Sequence, residues 1–343
     1  MKFDFIVGNP PYQEETEGTS DIPIYNRFMD GVYTLGSKVE LITPARFLFE
    51  AGKTPSEWNK KMLADPHLKV LFYEQNSGKV FVNTDIKGGI AVTYFDPDKE
   101  FGPIGAFSAF SELNDILHKV IKKGINGSLD DLIVAQNKWD LDALYSDYPY
   151  IKEKIGSDGR EKRLTTSIFA LTELFHDKKA TKDIAIVGLI SNKRFTKYVA
   201  LKYIEKNHKN LEHWKVILPK SNGSGAIGEI LSTPLIGEPL IGEPLIGYTQ
   251  SFIGIGSFDN KSEANALFKY VKTKFARCML GILKVTQDNN KGTWKYVPLQ
   301  DFTPNSDIDW SKPISEIDQQ LYKKYKLSKA EIDFIESHVK EME

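Results

Sequence analysis

Four consecutive residues near the start of the chain, Asn9-Pro10-Pro11-Tyr12, combine groups suited to handling a planar amine. The Asn9 carboxamide oxygen and the Pro10 carbonyl are two hydrogen-bond acceptors, and the two prolines restrict the backbone that carries them. An exocyclic amine on an aromatic ring is a poor nucleophile because its lone pair is delocalised into the ring. Accepting a hydrogen bond from each N–H draws the nitrogen toward tetrahedral geometry and frees the lone pair. Acceptors already fixed in place favour that transition state without reorganising. Tyr12 adds a flat face on which an aromatic ring can stack. The plainer reading of the same residues is a proline-rich turn.

The loop needs elements to hold it. Phe3-Asp4-Phe5-Ile6-Val7-Gly8 reads as a short apolar strand running into it, and Val39–Thr43 reads as another, closed by Pro44. Arg46 to about Ala64 is expected to be helical, with an interruption near Thr54-Pro55 where Thr54 could cap a new start. Leu68–Tyr73 is expected as a strand, as is Gly89–Phe95, bounded by Gly88-Gly89 and Asp96-Pro97. Alternating strands and helices predict an α/β arrangement with a mostly parallel sheet, whose ligand sites lie at the carboxyl ends of strands. Asn9 sits at one such end. Beyond about residue 105 the pattern changes to helices (roughly 108–123 and 262–284), irregular loops and short strands such as Ile184–Ile190. The segment Ile314–Met342 reads as two amphipathic helices, the second opened by a capping box of Ser328 and Glu331. Two domains are expected, 1–105 and 106–343.

At 343 residues with 41% hydrophobic content, the chain can bury two cores. Its 45 basic and 46 acidic residues leave a net charge of −1, which neither supports nor excludes nucleic acid unless the basic residues are segregated in space. The single Cys278 excludes an intramolecular disulfide and a cysteine-based zinc cluster, and it suits a reducing compartment. No apolar run reaches the roughly 18 residues of a membrane span, so a soluble, cytoplasmic protein is expected. The six histidines show no ligand spacing, and no metal site or Asp…Glu-x-Lys nuclease centre is expected. The segment Pro234-Leu235-Ile236-Gly237-Glu238 recurs from Pro239 and again from Pro244. Proline and glycine in every unit bar a helix or a central strand, so a tolerated surface loop is expected.

Asn-Pro-Pro-Tyr at a strand end resembles the catalytic loop of the N6-adenine DNA methyltransferases of restriction-modification systems, of type II or IIG character. The resemblance implies a partial Rossmann-like methyltransferase sheet, the catalytic half, followed by a mixed α+β target-recognition domain. It gives Asn9, Pro10, Pro11 and Tyr12 the catalytic positions, with Tyr12 stacking on an adenine extruded from the duplex. Gly78-Lys79-Val80-Phe81-Val82, ahead of Ile86–Val92, resembles the later motif of the same enzymes and implies that Phe81 stacks on the base from the opposite side. A core phenylalanine in a strand is the ordinary alternative. Thr43–Leu48 resembles the junction behind the catalytic loop. The blocks Tyr270–Arg277, Lys284–Gln287, Val297–Phe302 and Leu321–Tyr325 resemble the target-recognition region.

Double-stranded DNA is the implied partner. The basic clusters Arg160/Lys162/Arg163, Lys193/Arg194/Lys197 and Lys272/Lys274/Arg277 are candidates for phosphate contacts, or else ordinary solvated faces. S-adenosylmethionine is the implied cofactor. The family holds it with a Phe-x-Gly-x-Gly turn after a first strand and an acidic residue one strand later. Nothing precedes residue 1, so in the usual order that module is expected on a separate polypeptide, and the cofactor-binding residues here are unknown. A lookalike, Phe252-Ile253-Gly254-Ile255-Gly256, would suit a circularly rearranged order, but no apolar strand ending in an acid follows it, and a strand or turn of the recognition domain is expected instead. Two other functions fit the sequence: a DNA-recognition module or truncated remnant without catalysis, and a methyltransferase of protein glutamine. The large region after residue 105 argues against the latter.

Overall fold

The computed structural model describes residues 3–14, 22–50, 52–86, 88–108, 110–123, 127–155, 159–222, 235–284 and 287–342. The chain forms two compact units, Met1–Asp115 and Ile116–Glu343.

The first unit opens with β1 (Phe3–Gly8), followed by a two-stranded ribbon of β2 (Gln13–Glu14) and β3 (Ile22–Pro23). Helix α1 (Tyr25–Leu35) then leads into β4 (Gly36–Pro44), which lies parallel to β1 with Phe3 opposite Gly36 and Gly8 opposite Leu41. A crossover helix is what a parallel pair requires. A short 3₁₀ helix (Ala45–Phe49), α2 (Ser56–Ala64), β5 (Leu68–Glu74), a 3₁₀ turn (Ser77–Lys79) and β6 (Ile90–Phe95) complete a sheet of order β1-β4-β6-β5. Met29, Val39, Leu41, Phe47, Trp58, Met62, Leu68 and Ile90 are buried, and the rings of Tyr25, Phe47 and Trp58 meet one another. No residue of β1 is fully buried, as its position at the sheet edge dictates.

Two expectations for this unit are corrected. The sheet is mixed, because β6 pairs antiparallel with both β4 and β5, leaving β1 and β4 as its parallel pair. Strands β4 and β5 do run in the same direction, joined through α2, but β6 inserts between them from a reversal at residues 75–89. The break expected near Thr54-Pro55 in the helix from Arg46 is present, but it opens earlier and lacks the expected cap. Glu50 takes a left-handed conformation (φ 51°) that ends the 3₁₀ helix, and α2 starts after Pro55 with no side-chain cap. Thr54 is not the cap; its hydroxyl donates to Asn59 Oδ1 at 2.7 Å.

Helix α3 (Ser111–Lys122) passes from the first unit into the second. The second unit contains β7 (Ile133–Val134), α4 (Leu141–Asp147), α5 (Ile151–Ile155), and the hairpin of β8 (Asp183–Ile190) and β9 (Lys193–Ala200). Then follow β10 (Trp214–Pro219), β11 (Leu240–Gly242), β12 (Ile246–Tyr248) and β13 (Phe252–Phe258). The helices α6 (Lys261–Lys272), α7 (Lys274–Leu280), α8 (Ile314–Lys324) and α9 (Lys329–His338) complete it. One sheet has the order β11-β10-β13-β7 and another β12-β8-β9. Val187, Ile217, Tyr248 and Phe252 form a buried cluster drawn from both. The molecule is thus a mixed α/β protein with several sheets and nine α-helices among the described residues.

The expected helix over 262–284 breaks at Thr273, whose ψ of 147° ends α6 and whose hydroxyl accepts the Ala276 amide to start α7. The Ser328–Glu331 capping box at α9 is present as the sequence predicts.

The five-residue repeat is not a surface loop. Leu235 and Ile236 are buried, the second unit forms the edge strand β11 beside β10, and the third forms the edge strand β12 parallel to β8. Each repeat glycine lies against a different neighbour. A Cβ at Gly237 would stand 2.9 Å from Pro219, one at Gly242 2.8 Å from Ile217, and one at Gly247 2.7 Å from Ile186. Proline and glycine do keep the repeat at sheet edges, as expected, while the missing side chains let it approach two sheets closely. Pro234 lies outside the described residues.

Candidate active site

Asn9 follows the last residue of β1, so the parallel β1–β4 pair aims the Asn9–Tyr12 loop outward from the carboxyl end of the sheet. Three ties hold its far side. The Ile24 amide donates to the Tyr12 carbonyl at 3.2 Å, Gln13 pairs with Pro23, and Glu14 pairs with Ile22. The loop opens onto a cleft of about 850 Å³ lined by Asn9, Pro10, Pro11, Tyr12, Tyr25, Arg46, Lys53, Asp85 and Ile86, among others. Asn9 is exposed, whereas Tyr12 is half-buried. The Tyr12 hydroxyl is buried without a hydrogen-bond partner among the described residues, and burial pushes its pKa upward. Tyr25 is buried behind the cleft. Burial pushes its hydroxyl up to about 12, while the Thr54 side chain and the Arg46 charge act in the opposite direction. This arrangement can present two acceptors and an aromatic face to a planar amine.

Phe81 lies in the turn after the 3₁₀ helix, part-exposed, with its amide donating to the Ser77 carbonyl at 2.8 Å and its carbonyl accepting the Thr84 hydroxyl at 2.8 Å. It is therefore not a core residue of a strand. It is not among the residues lining the cleft; the same loop contributes Asp85 and Ile86. Sequence reading missed Arg46, Lys53, Asp85 and Tyr25 as cleft residues. The available signal was the position of Arg46 just past the carboxyl end of β4, where a neighbouring parallel strand also delivers its loop.

The basic clusters fare differently. Arg160, Lys162, Arg163 and Lys193 are exposed. Arg194 is exposed, lies over the Phe252 ring and donates to the Glu238 carbonyl, and Lys197 pairs with Asp177. The third cluster is engaged within the protein. Lys272 is buried against Glu238 at 3.0 Å, and Lys274 pairs with Glu336. Arg277 is fully buried, donating to the carbonyls of Lys272, Thr273 and Lys340, with its pKa lowered to about 10 by that burial. Its neighbour Asp318 accepts the amides of Lys274 and Phe275, and burial raises this carboxyl to about 6. Lys274, Arg277 and Asp318 thus tie α7 to α8, α9 and the end of the chain, while Lys272 of α6 is tied to Glu238.

The Phe252–Gly256 lookalike is an inner strand between β10 and β7. A Cβ at Gly254 would stand 2.2 Å from the Tyr248 hydroxyl, and one at Gly256 2.3 Å from the Phe258 ring. Packing by the protein's own aromatic rings accounts for both glycines. Among the described residues no group of three His, Cys, Asp or Glu is placed to hold a metal, and no helix is long and apolar enough to cross a membrane.

Residues 1–81 match the family of the Eco57I restriction-modification methylase. The match runs from β1 through β5 to Phe81 and includes the whole Asn9–Tyr12 loop. No curated protein matches the chain. Among solved structures, the type IIL restriction-modification enzyme MmeI in complex with DNA is similar at 9% identity, with a TM-score of 0.43. That similarity covers 97% of this chain, which spans only 56% of the MmeI chain.

Proposed function

We propose that this chain is the target-binding part of a site-specific DNA adenine-N6 methyltransferase of a restriction-modification system. One observation carries the reading: Asn9–Tyr12 crowns the carboxyl end of β1 and opens on an 850 Å³ cleft, inside the segment similar to the Eco57I methylase. Adenine leaves the duplex and enters the cleft, a cost that base-modifying enzymes recover through stacking and hydrogen bonds. Asn9 Oδ1 and the Pro10 carbonyl each accept a hydrogen bond from one of its two amino N–H groups, and Tyr12 stacks on the ring. Phe81 closes the opposite face once DNA is bound. When bound, S-adenosylmethionine supplies the electrophilic methyl group. The Gly-x-Gly segment Phe252–Gly256 packs against the protein's own rings, which argues against it as the cradle for that cofactor.

The cofactor site belongs to a further module that joins this sheet. The sheet β1-β4-β6-β5 is the catalytic half of a Rossmann-like methyltransferase sheet, and β1 is the edge to which the remaining strands add. In support, Phe3, Phe5 and Val7 on that edge are 49%, 55% and 72% exposed. An apolar open edge is an aggregation hazard unless something covers it. The second unit, together with residues 106–115, acts as the target-recognition domain. Its DNA contacts come from Lys193 and Arg194 on the β8–β9 hairpin and from Lys197.

The test is methyl transfer to DNA by the assembly that co-purifies with the full chain. Asn9→Ala should lower transfer by about 10²–10³ while leaving DNA binding unchanged. Equal activity in the variant would remove the catalytic assignment. DNA binding without any transfer by the wild-type assembly would instead point to a recognition module.

A further inference from the structure

The cleft beside Asn9 contains cations that the amine-binding role leaves unused. Arg46 follows the carboxyl end of β4, next to β1 in the sheet. Its stem is held by two glycines in the left-handed region, Gly52 at φ +94° and Gly88 at φ +88°. A Cβ on Gly88 would stand 2.7 Å from Arg46 Cγ, and one on Gly52 would stand 3.2 Å from its Cβ and Cδ. Any larger residue would push into the stem, so these two positions leave the room in which the Arg46 side chain lies. Gly88 is itself anchored, because the Ala45 amide donates to the Gly89 carbonyl at 3.0 Å. Arg46 is part-exposed and lines the cleft with Asn9 and Tyr12, and Lys53, one residue past Gly52, lines it as well. Asp85 lines the cleft beside these two cations.

A guanidinium is the group best shaped to take two phosphate oxygens at once. A base drawn out of the duplex brings its own phosphates to the mouth of the pocket it enters. We propose that Arg46, assisted by Lys53, forms a phosphate subsite for the nucleotide whose base enters the Asn9–Tyr12 loop. This rests on the reading of that loop as an adenine pocket. The subsite orients the extruded nucleotide so that its amine meets Asn9 and Pro10.

The full chain is titrated with 2′-deoxyadenosine and with 2′-deoxyadenosine 5′-monophosphate, followed by ligand-observed NMR. The wild type should prefer the monophosphate about tenfold or more, the ratio expected of a charge-assisted hydrogen bond. In Arg46→Ala the preference should fall toward one while the nucleoside binds as before, and Arg46→Lys should retain only part of it. Gly88→Ala keeps the charge but displaces the stem, and it should lower the preference too; near-UV circular dichroism establishes that each variant is folded. Equal binding of the two ligands by the wild type overturns the subsite and leaves the base pocket standing. A preference that survives in Arg46→Ala overturns the role of Arg46. Binding of neither ligand overturns both the subsite and the adenine pocket on which it depends.

Discussion

Replacing Lys215 by Met should remove a pH dependence of stability that the wild-type chain carries. Lys215 sits on β10, fully buried, and its ammonium donates to the carbonyls of Leu211 at 3.3 Å, His213 at 3.0 Å and Glu243 at 2.9 Å. Burial lowers its pKa from 10.5 to about 7. Between these two values the unfolded chain binds the proton more tightly than the folded one, so folding releases it. Stability from this group is therefore complete above about pH 10.5, is lost as pH falls toward about 7, and is flat below that. The limiting slope is about 1.4 kcal/mol per pH unit, one proton's worth. The three carbonyl acceptors favour the ammonium and offset part of the total swing. Met also leaves those carbonyls without the lysine, although those of Leu211 and Glu243 still accept the Leu245 and Ile246 amides. That loss is independent of pH. Urea unfolding of both proteins at pH 6, 8 and 9.5 separates the two effects. The wild type should gain on Lys215→Met as pH rises and keep a constant offset below 7. Parallel profiles over the whole range would refute the assignment of the buried proton to Lys215.

Two further substitutions test the packing that displaces other readings of the sequence. Gly254→Ala drives a Cβ toward the Tyr248 hydroxyl, which otherwise donates to the Val134 carbonyl and Asn210 Oδ1. A loss of about 2–3 kcal/mol is expected in chemical denaturation, and an unchanged midpoint would mean that Tyr248 moves aside freely. Ser328→Ala removes the cap of α9 and should cost about 1 kcal/mol. Ser328→Asp should restore most of it, and an Ala variant as stable as the wild type would show that Glu331, which is also bound to Lys119, holds the helix start without the hydroxyl.

Much of the site was legible because its signals are local. Asn9–Tyr12 announces a rigid pair of acceptors through residue type alone, and the apolar run before it predicts the strand that carries it. The Ser328 capping box is equally local, since both of its partners lie within one helical turn. Lys272, Lys274 and Arg277 read as a basic patch, yet their acids and carbonyl partners, Glu238, Glu336, Asp318 and Lys340, lie well away along the chain. A charge run carries no record of where its counter-ions will fold. Arg46 was equally hidden as a cleft residue, because Gly52 lies on one loop and Gly88 on another, brought to it by the insertion of β6.

The sequence by itself determined where most strands and helices fall, because periodicity, prolines and caps act within a few residues. Tertiary structure alone decided the direction and order of those strands. It placed β6 antiparallel between β4 and β5, although the alternation of elements suggested a parallel sheet. It also turned a Pro-Leu-Ile-Gly-Glu repeat into edge strands of two sheets, each glycine set by the neighbour it had to admit. Strand pairing joins residues distant along the chain, and its energy comes from contacts that exist only once both strands are in place.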